Sequence, residues 1–269
     1  MTYLINLSIY KNEFPDELKY AKIRPLFKKN KKTEAENYRP VSVLSNISKI
    51  LERAVHSQLD QYLNENKMLY SHQSGFRKGH STDTCLINLM DYVHKSISEG
   101  EYVGMALLDL QKAFDTVDHI ILCNKLKLMG VGCVEWFRSY LSNRKQIVNV
   151  NNTKSSPGII TCGVPQGSIL GPLLFLCYIN DMSLSVECKL YLYADDSALL
   201  VRGKHPNIIA NSLSKNLDSC KSWLIDNKLS LYLGKTEALL FGTKRKLKHI
   251  IILKKWQKYT FLINSQNKN

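Results

Sequence analysis

The sequence has no long apolar run, no paired-cysteine motif and no leader-like start. Its longest apolar stretch, residues 169–179, is shorter than the roughly 20 residues that a membrane-spanning helix requires. The seven cysteines form no C-x-x-C pair and the seven histidines lack zinc-ligand spacing, which argues against a structural zinc site. Residues 1–10 lack the basic segment and cleavage site of a signal peptide. These absences predict an intracellular protein, cytoplasmic or nuclear, with reduced thiols and no membrane partner.

Acidic side chains are scarce at the two ends of the chain. Residues 1–80 carry 14 basic and 8 acidic side chains, and residues 244–269 carry 8 basic and no acidic ones. Residues 81–243 hold 15 of each sign, so the net charge of +14 comes from the ends. Flanking regions that grip a polyanion would explain this distribution, and so would a solubilising surface with a disordered basic tail.

The apolar spacing predicts an α+β fold. When neighbouring helices are grouped and an inserted hairpin is set aside, the order from residue 103 is β-α-β-β-α-β. This is the split βαβ pattern of a small antiparallel sheet with helices on one face. The predicted strands are 103–109, 190–193, 197–201, 229–233 and 238–241, with hairpin strands 144–150 and 158–162. The predicted helices are 46–67, 82–98 with Thr82 as N-cap, 118–129, 134–142, 167–182 and 207–227.

Three carboxylates fall at one edge of this predicted sheet. Asp109 ends the first strand, and Asp195 and Asp196 occupy the turn of the hairpin expected beside it. Like charges so placed repel one another unless divalent cations lie between them, and hard oxygen ligands suit Mg²⁺. Two Mg²⁺ ions about 3.5–4 Å apart serve in-line phosphoryl transfer in polymerases. The alternatives are an ordinary hairpin turn for Asp195 and Asp196, and a helix N-cap or turn residue for Asp109.

Six motifs resemble those of reverse transcriptases, in the same order and spacing. Tyr-Ala-Asp-Asp at residues 193–196 resembles the catalytic box, and 106–115 (ALLDLQKAFD) and 163–172 (GVPQGSILGP) resemble the two palm motifs before it. The finger motifs and the lysine motif are matched by 38–42 (YRPVS), 75–82 (GFRKGHST) and 235–237 (KTE). The resemblance is to the enzymes of non-LTR retrotransposons, the jockey or LINE-like group, and covers roughly residues 13–243.

The resemblance implies a role for each matched residue. Asp109, Asp195 and Asp196 match metal ligands, with Asp195 as the principal one and Asp196 more peripheral, for two Mg²⁺ ions that Mn²⁺ could replace. Phe114 matches the aromatic gate that excludes a 2′-hydroxyl, and Lys235 matches a general acid for the leaving pyrophosphate. The other matched positions are nucleotide contacts (Leu110, Arg77, Lys78, Gln166 and Gly167) and template or primer contacts (Arg39 and Tyr193). The ordinary alternatives are a core aromatic for Phe114, a solvated loop charge for Arg77, and a helix-entry loop for Gln166 and Gly167.

The resemblance also implies a right-hand polymerase architecture. Residues 13–100 match the fingers and 101–243 the palm, after a lead-in of residues 1–12. Residues 244–269 are lysine-rich and free of acid, and no primer-grip turn follows residue 241. The thumb is therefore expected to be largely absent, and the chain is expected to be a fragment of a retroelement protein.

The predicted function is RNA-directed DNA polymerisation, with an RNA template, a DNA primer and deoxynucleoside triphosphates as partners. A catalytically silent nucleic-acid-binding remnant is the alternative from a different class. An RNA-dependent RNA polymerase would share the carboxylates, but the aromatic Phe114 argues against it. An intron maturase matches the flanking sequence less well. The level of activity and the oligomeric state stay open.

Overall fold

The computed structural model describes residues 2–150, 153–232 and 236–243, and the backbone of residues 260–262; Glu36 is described by its backbone alone. The α-helices are α1 Thr2–Lys11, α2 Asn46–Glu65, α3 Thr82–Ser98, α4 His119–Leu128, α5 Val134–Leu141, α6 Leu170–Ile179 and α7 Pro206–Asp226. The strands are β1 Tyr20–Phe27, β2 Tyr38–Val43, β3 Tyr102–Asp109, β4 Lys145–Val150, β5 Thr153–Lys154, β6 Gly158–Ile159, β7 Lys189–Tyr193, β8 Asp196–Gly203, β9 Glu237–Phe241 and β10 Thr260–Leu262. This mixture confirms the predicted α+β class.

The chain forms two compact units, each built from two stretches of sequence. The first unit contains residues 1–69 and 112–179, and the second contains residues 70–111 and 180–269. This division does not follow the predicted boundary between fingers and palm at residues 100 and 101, because α3 belongs with the sheet that contains β3. The predicted lead-in, residues 1–12, contains helix α1.

The first unit combines a small sheet with a helical core. Its strand order is β2-β1-β4-β5, with β6 also paired to β4, and β1 is antiparallel to β2 but parallel to β4. Helix α6 packs against α2 and α4, and all of its residues except Pro172 are buried. The predicted helix of residues 167–182 begins later, at Leu170. Pro172 then lies in the first turn, where helical N–H groups have no intrahelical partner to lose.

The second unit is built on a sheet with the strand order β10-β9-β3-β8-β7. The pairs β9–β3, β3–β8 and β8–β7 are antiparallel, and β10 pairs with β9 in parallel. The first of these strands along the chain, β3, therefore lies between β9, which comes after the hairpin, and the hairpin strand β8. This arrangement is the split βαβ topology that the sequence predicts.

Helices cover both faces of this sheet, whereas the sequence predicts helices on one face. Leu89 and Val93 of α3 pack with Val103 and Met105, two residues apart on β3. The intervening Gly104 points to the opposite face, where a Cβ would lie 2.3 Å from Cγ2 of Ile209 on α7. The prediction was wrong because the predicted β-α-β-β-α-β order begins at residue 103 and so left out α3, which precedes it. The boundary between fingers and palm stays a prediction.

Two local expectations are also corrected. Helix α3 is capped by Ser81 rather than Thr82, because the Ser81 hydroxyl accepts from the Thr84 amide while the Thr84 side chain accepts from the Ser81 amide. The predicted strand of residues 229–233 is, in its described part, only an isolated bridge between Leu231 and Leu110. Along the described parts of the chain, no helix is both long and apolar enough to cross a membrane.

Candidate active site

The turn between β7 and β8 brings the predicted carboxylates together. Ala194 and Asp195 form the turn, and Tyr193 and Asp196 are directly opposite each other across the β7–β8 pair. On the other side of β8, Asp196 is directly opposite Asp109. Opposite residues of an antiparallel pair project to the same face of the sheet, with Cβ atoms about 4.5–5.5 Å apart. Asp109 and Asp196 are therefore neighbours, and Asp195 lies one residue away in the turn.

The exposure of these three carboxylates suits a surface site. Asp109 and Asp195 are half-buried, and Asp196 is exposed. Their donor atoms are hard oxygens, which fit Mg²⁺ or Mn²⁺ better than a softer metal. Within the described residues, however, no three His, Cys, Asp or Glu side chains are already arranged to hold a metal ion. The strand register supports the predicted metal site, and coordination by all three side chains stays a prediction.

Residues 230–232 bond to the end of β3 along the edge that faces away from β8. The Gln111 amide donates to the Ser230 carbonyl at 2.8 Å, and the Tyr232 amide donates to the Asp109 carbonyl at 2.9 Å. Backbone groups alternate along an extended chain, so the N–H and C=O of Leu110 point the other way, while its side chain is buried. This orientation is consistent with the predicted backbone contact of Leu110 with a triphosphate.

In the first unit, the predicted nucleotide residues Phe114, Gln166 and Gly167 lie on two connected segments. The Phe114 ring is half-buried and stacks on Phe175 with 4.4 Å between ring centroids. The Val164 amide donates to the Phe114 carbonyl at 2.8 Å. Phe114 and the loop that carries Gln166 and Gly167 are therefore held in one fixed arrangement.

Asp115 orients the predicted nucleotide residue Gln166. The Gln166 Nε2 donates to Asp115 Oδ1 at 2.8 Å. Burial raises the pKa of the Asp115 carboxyl, although the bond from Gln166 and the charge of Lys112 act in the opposite direction. The sequence-based prediction did not include Asp115, although it is the last residue of the 106–115 motif and follows Phe114 directly.

Gly167 occupies a position that other residues cannot take without strain. Its φ is 112°, and a Cβ there would lie 2.7 Å from the Ser42 backbone oxygen. The Ser42 amide donates to the Gln166 carbonyl at 2.7 Å, so β2 runs directly beside this loop. The glycine therefore permits the close approach of two backbone segments, the loop and β2. Its predicted contact with a nucleotide stays a prediction.

Glu52 on α2 holds the start of α6, just after this loop. Its Oε2 accepts from the amides of Ile169 at 2.7 Å and Leu170 at 3.3 Å, and its Oε1 accepts from the Ser48 hydroxyl at 2.9 Å. The side chain is fully buried. A carboxylate at a helix N-terminus satisfies free N–H groups and the positive end of the helix dipole. Glu52 was not among the residues predicted from the sequence, although an acid among the buried residues of α2 was a usable signal.

The predicted cationic residues are in different settings. Arg77 is half-buried, and its Nη1 donates to the backbone oxygens of Tyr70 at 3.0 Å and Gln73 at 3.2 Å. Arg77 therefore stabilises the loop that carries it. Its contact with a triphosphate stays a prediction. Lys78 and Arg39 are exposed, and Lys235 lies outside the described residues.

The predicted site residues divide between the two units. The second unit contains Asp109, Leu110, Tyr193, Asp195, Asp196, Arg77 and Lys78, and the first contains Phe114, Gln166, Gly167 and Arg39. The register of one sheet thus brings the three carboxylates together, and the loop network of the other unit brings Phe114 together with Gln166 and Gly167.

Comparison with known proteins finds similar sequences in mobile elements. Residues 28–263 match the family described as reverse transcriptase (RNA-dependent DNA polymerase). The chain is 36% identical over 226 residues to a probable RNA-directed DNA polymerase from transposon BS of Drosophila melanogaster, covering 79% of this chain and 25% of that protein. It is 33% identical over 220 residues to the RNA-directed DNA polymerase from mobile element jockey of the same species, covering 78% and 24%. The chain thus spans about a quarter of the length of these relatives.

Solved structures of telomerase have a similar fold. Apo telomerase from Candida tropicalis matches with a TM-score of 0.62 and 12% identity, over 82% of this chain and 44% of that one. Telomerase from Candida albicans in complex with a fragment of telomeric RNA matches with a TM-score of 0.56 and 13% identity, over 88% and 45%. At this level of identity the likeness shows a shared fold.

Proposed function

Because the chain belongs to the reverse transcriptase (RNA-dependent DNA polymerase) family, we propose that it catalyses RNA-directed DNA synthesis. The substrates are a DNA primer paired to an RNA template and deoxynucleoside triphosphates. In each cycle the primer 3′-oxygen bonds to the α-phosphorus of the nucleotide, the bond to the β-phosphate oxygen breaks, and pyrophosphate leaves. The proton of the 3′-hydroxyl is released to water, and the departing pyrophosphate requires charge stabilisation.

The observation that carries this proposal is the register that sets Asp109 opposite Asp196, beside the turn that contains Asp195. Three carboxylates at one sheet edge give a dense set of oxygen ligands on rigid strands. Mg²⁺ ions held there would lower the pKa of the primer hydroxyl and neutralise charge on the pyrophosphate. The protein's own part is to fix these ligands and to position the two substrates.

We assign selection of the nucleotide to the Phe114 and Gln166 network. The Phe114 ring, braced by Phe175, is proposed to fill the space that a 2′-hydroxyl would need. Gln166, with its Nε2 bonded to Asp115, keeps its amide carbonyl oriented by that bond. Gly167, which lets β2 approach this loop, is proposed to contact the nucleotide through its backbone. Arg77 and Lys78 remain the proposed triphosphate contacts, and Lys235 the proposed general acid.

We assign template contacts to the first unit. The β1–β2 hairpin carries exposed basic side chains that can neutralise backbone phosphates. These residues are Lys22, Arg24, Lys28, Lys29, Lys31, Lys32 and Arg39. Such contacts fit any RNA sequence, as a polymerase requires, because phosphates carry no base information.

The test is extension of a DNA primer on an RNA template by the chain and by Asp109→Asn and Asp195→Asn variants. Each variant removes one negative charge from the sheet edge and should lower the rate at least about 10²-fold, within the range of losses seen for electrostatic groups in active sites. Asp218→Asn, the same change at an exposed residue of α7, is the matched control and should extend like the wild type.

Unchanged extension by the two active-site variants would refute the assignment of the carboxylates. Salt-dependent RNA binding without any extension by the wild type would instead favour the nucleic-acid-binding remnant.

A further inference from the structure

We propose that Gln73 is a positioning residue that sets the geometry of the Ala194–Asp195 turn, and this inference rests on the proposed polymerase function. Residues 72–74 run beside β7 as an extra, parallel segment. The Leu192 amide donates to the His72 carbonyl at 2.9 Å, and the Ser74 amide donates to the Leu192 carbonyl at 2.8 Å. This backbone pairing stops at Leu192, two residues before the turn.

The Gln73 side chain continues the pairing where the backbone cannot. Its Oε1 accepts from the Ala194 amide at 3.1 Å and from the Gly75 amide at 2.8 Å. Its Nε2 donates to the Ala194 carbonyl at 3.4 Å. The side chain is 2% exposed, so water does not compete for these bonds. One amide group thus holds both the N–H and the C=O of Ala194.

These two bonds fix the peptide planes on either side of Ala194. The Ala194 amide belongs to the plane shared with Tyr193, and the Ala194 carbonyl belongs to the plane shared with Asp195. Ala194 has a φ of 55°, a left-handed conformation that a residue with a Cβ adopts rarely. The turn is therefore held in a strained conformation by groups outside it, and Asp195 is the first residue whose direction depends on it.

The backbone of the same loop also lies very close to the turn, at Gly75. A Cβ on Gly75 would lie 2.1 Å from the Ala194 nitrogen and 2.8 Å from its Cα. Only a glycine allows the loop to come near enough for the Gln73 amide to reach. Two independent contacts, the amide bonds and the glycine approach, thus converge on the residue that precedes Asp195.

The variant Gln73→Met tests the proposal because it keeps the length and burial of the side chain but removes the amide. The matched control is Asn216→Leu in the same unit. Asn216 is also buried, and its Oδ1 accepts from the amides of Glu187 at 2.8 Å and Cys188 at 3.0 Å, before the start of β7. Its Nδ2 donates to the Ser212 carbonyl at 2.8 Å. Both changes remove a buried side-chain amide that bonds to backbone groups, but only the Gln73 amide bonds to the turn. The clamp is the pair of bonds between the Gln73 amide and the N–H and C=O of Ala194.

Three readouts separate positioning from general stability. Both variants should lower the thermal midpoint by similar amounts. Gln73→Met should lower kcat for primer extension by about 10²-fold with a small change in the KM for the deoxynucleotide, because a misplaced catalytic group slows the chemical step. Asn216→Leu should keep kcat within about twofold of the wild type. The Ala194 amide should exchange with solvent at least about tenfold faster in Gln73→Met alone.

Each outcome decides for or against the clamp. A wild-type kcat in Gln73→Met, or an equal loss in both variants, would overturn the positioning role while leaving the polymerase function intact. Equal exchange of the Ala194 amide in wild type and Gln73→Met would overturn the clamp itself. If the wild type extends no primer, the proposed function fails, and with it the catalytic meaning of the clamp, whereas amide exchange still reports whether the bonds exist.

Discussion

Asp115 is a residue of the candidate site whose ionisation is perturbed by its burial. Burial raises the pKa of its carboxyl above the ordinary 3.8. The folded state therefore disfavours the ionised form. By linkage, the contribution of Asp115 to stability is fully present below pH 3.8 and is lost as the pH rises through the raised pKa. Ionisation of Asp115 therefore costs stability, and its Oδ1 accepts the bond that orients Gln166.

Asp115→Asn should remove this penalty and keep an oxygen that can accept from Gln166 Nε2. We expect the free energy of unfolding at pH 7 to equal or exceed that of the wild type, with the difference shrinking as the pH falls towards 3.8. Urea unfolding between pH 3.5 and pH 7 measures this. Asp218→Asn, at an exposed position, should follow the wild-type curve. A stability difference that grows on acidification would contradict the prediction.

Single residues also mark the limit of prediction from sequence. The positions of Asp109, Asp195 and Asp196 could be predicted, because apolar strands and a turn specify a register and the register brings them together. The bonding partners of Gln73 and Glu52 could not be predicted, because each side chain bonds to backbone groups more than 100 residues away. A backbone partner can be any residue type, so the contact leaves no pattern in the sequence.

At the scale of elements, the contact between β3 and α7 depends on the absence of one methyl group. A Cβ on Gly104 would lie 2.3 Å from Cγ2 of Ile209. Gly104→Ala should therefore destabilise the protein by about 1–3 kcal/mol through overpacking. Ile209→Ala should destabilise it by about 2–5 kcal/mol through a cavity. The double variant should lose less than the sum, because removing the Ile209 side chain makes room for the new methyl group.

Chemical denaturation of the two single variants and the double variant measures this coupling. Gly132→Ala is the control, since nothing lies within 4 Å of a Cβ built there, and it should change stability by less than about 0.5 kcal/mol. Strict additivity in the double variant would show that α7 does not pack on Gly104 as described.

Element boundaries were predictable where one periodic signal dominated. Helices α2, α3 and α7 begin and end within two residues of the predicted bounds, because each carries a regular apolar stripe. The segment 229–233 was wrongly predicted as a strand, because strand-like composition does not reveal that its described residues pair with β3 only through one bridge. Assigning α3 away from the sheet failed for a related reason. An amphipathic helix shows which face is buried but not the surface that covers it.

At the scale of the whole molecule, the positive charge predicts how RNA binding depends on salt concentration. The net charge of +14 should make RNA binding strongly salt-dependent. Replacing Lys28, Lys29 and Lys31 by alanine should reduce the slope of log K against log salt by about 2, since each contact to a single strand contributes about 0.7. The control replaces three exposed helical lysines, Lys95, Lys127 and Lys221, which changes net charge equally.

Titration of RNA binding from low to high salt measures both slopes. Equal slopes in the two triple variants would show that net charge, rather than the β1–β2 hairpin, governs binding. A smaller slope in the hairpin variant alone would locate phosphate contacts on that hairpin.

The bonds between Gln73 and Ala194 have a consequence for the order of folding. Strands β7 and β8 are joined by two residues, so their hairpin can close locally. The Gln73 bonds join groups 121 residues apart in sequence, and the entropy lost on closing a loop grows with its length. The hairpin can thus exist before the peptide planes of its turn are set. We therefore expect catalytic competence to require this long-range contact as well as the local motif.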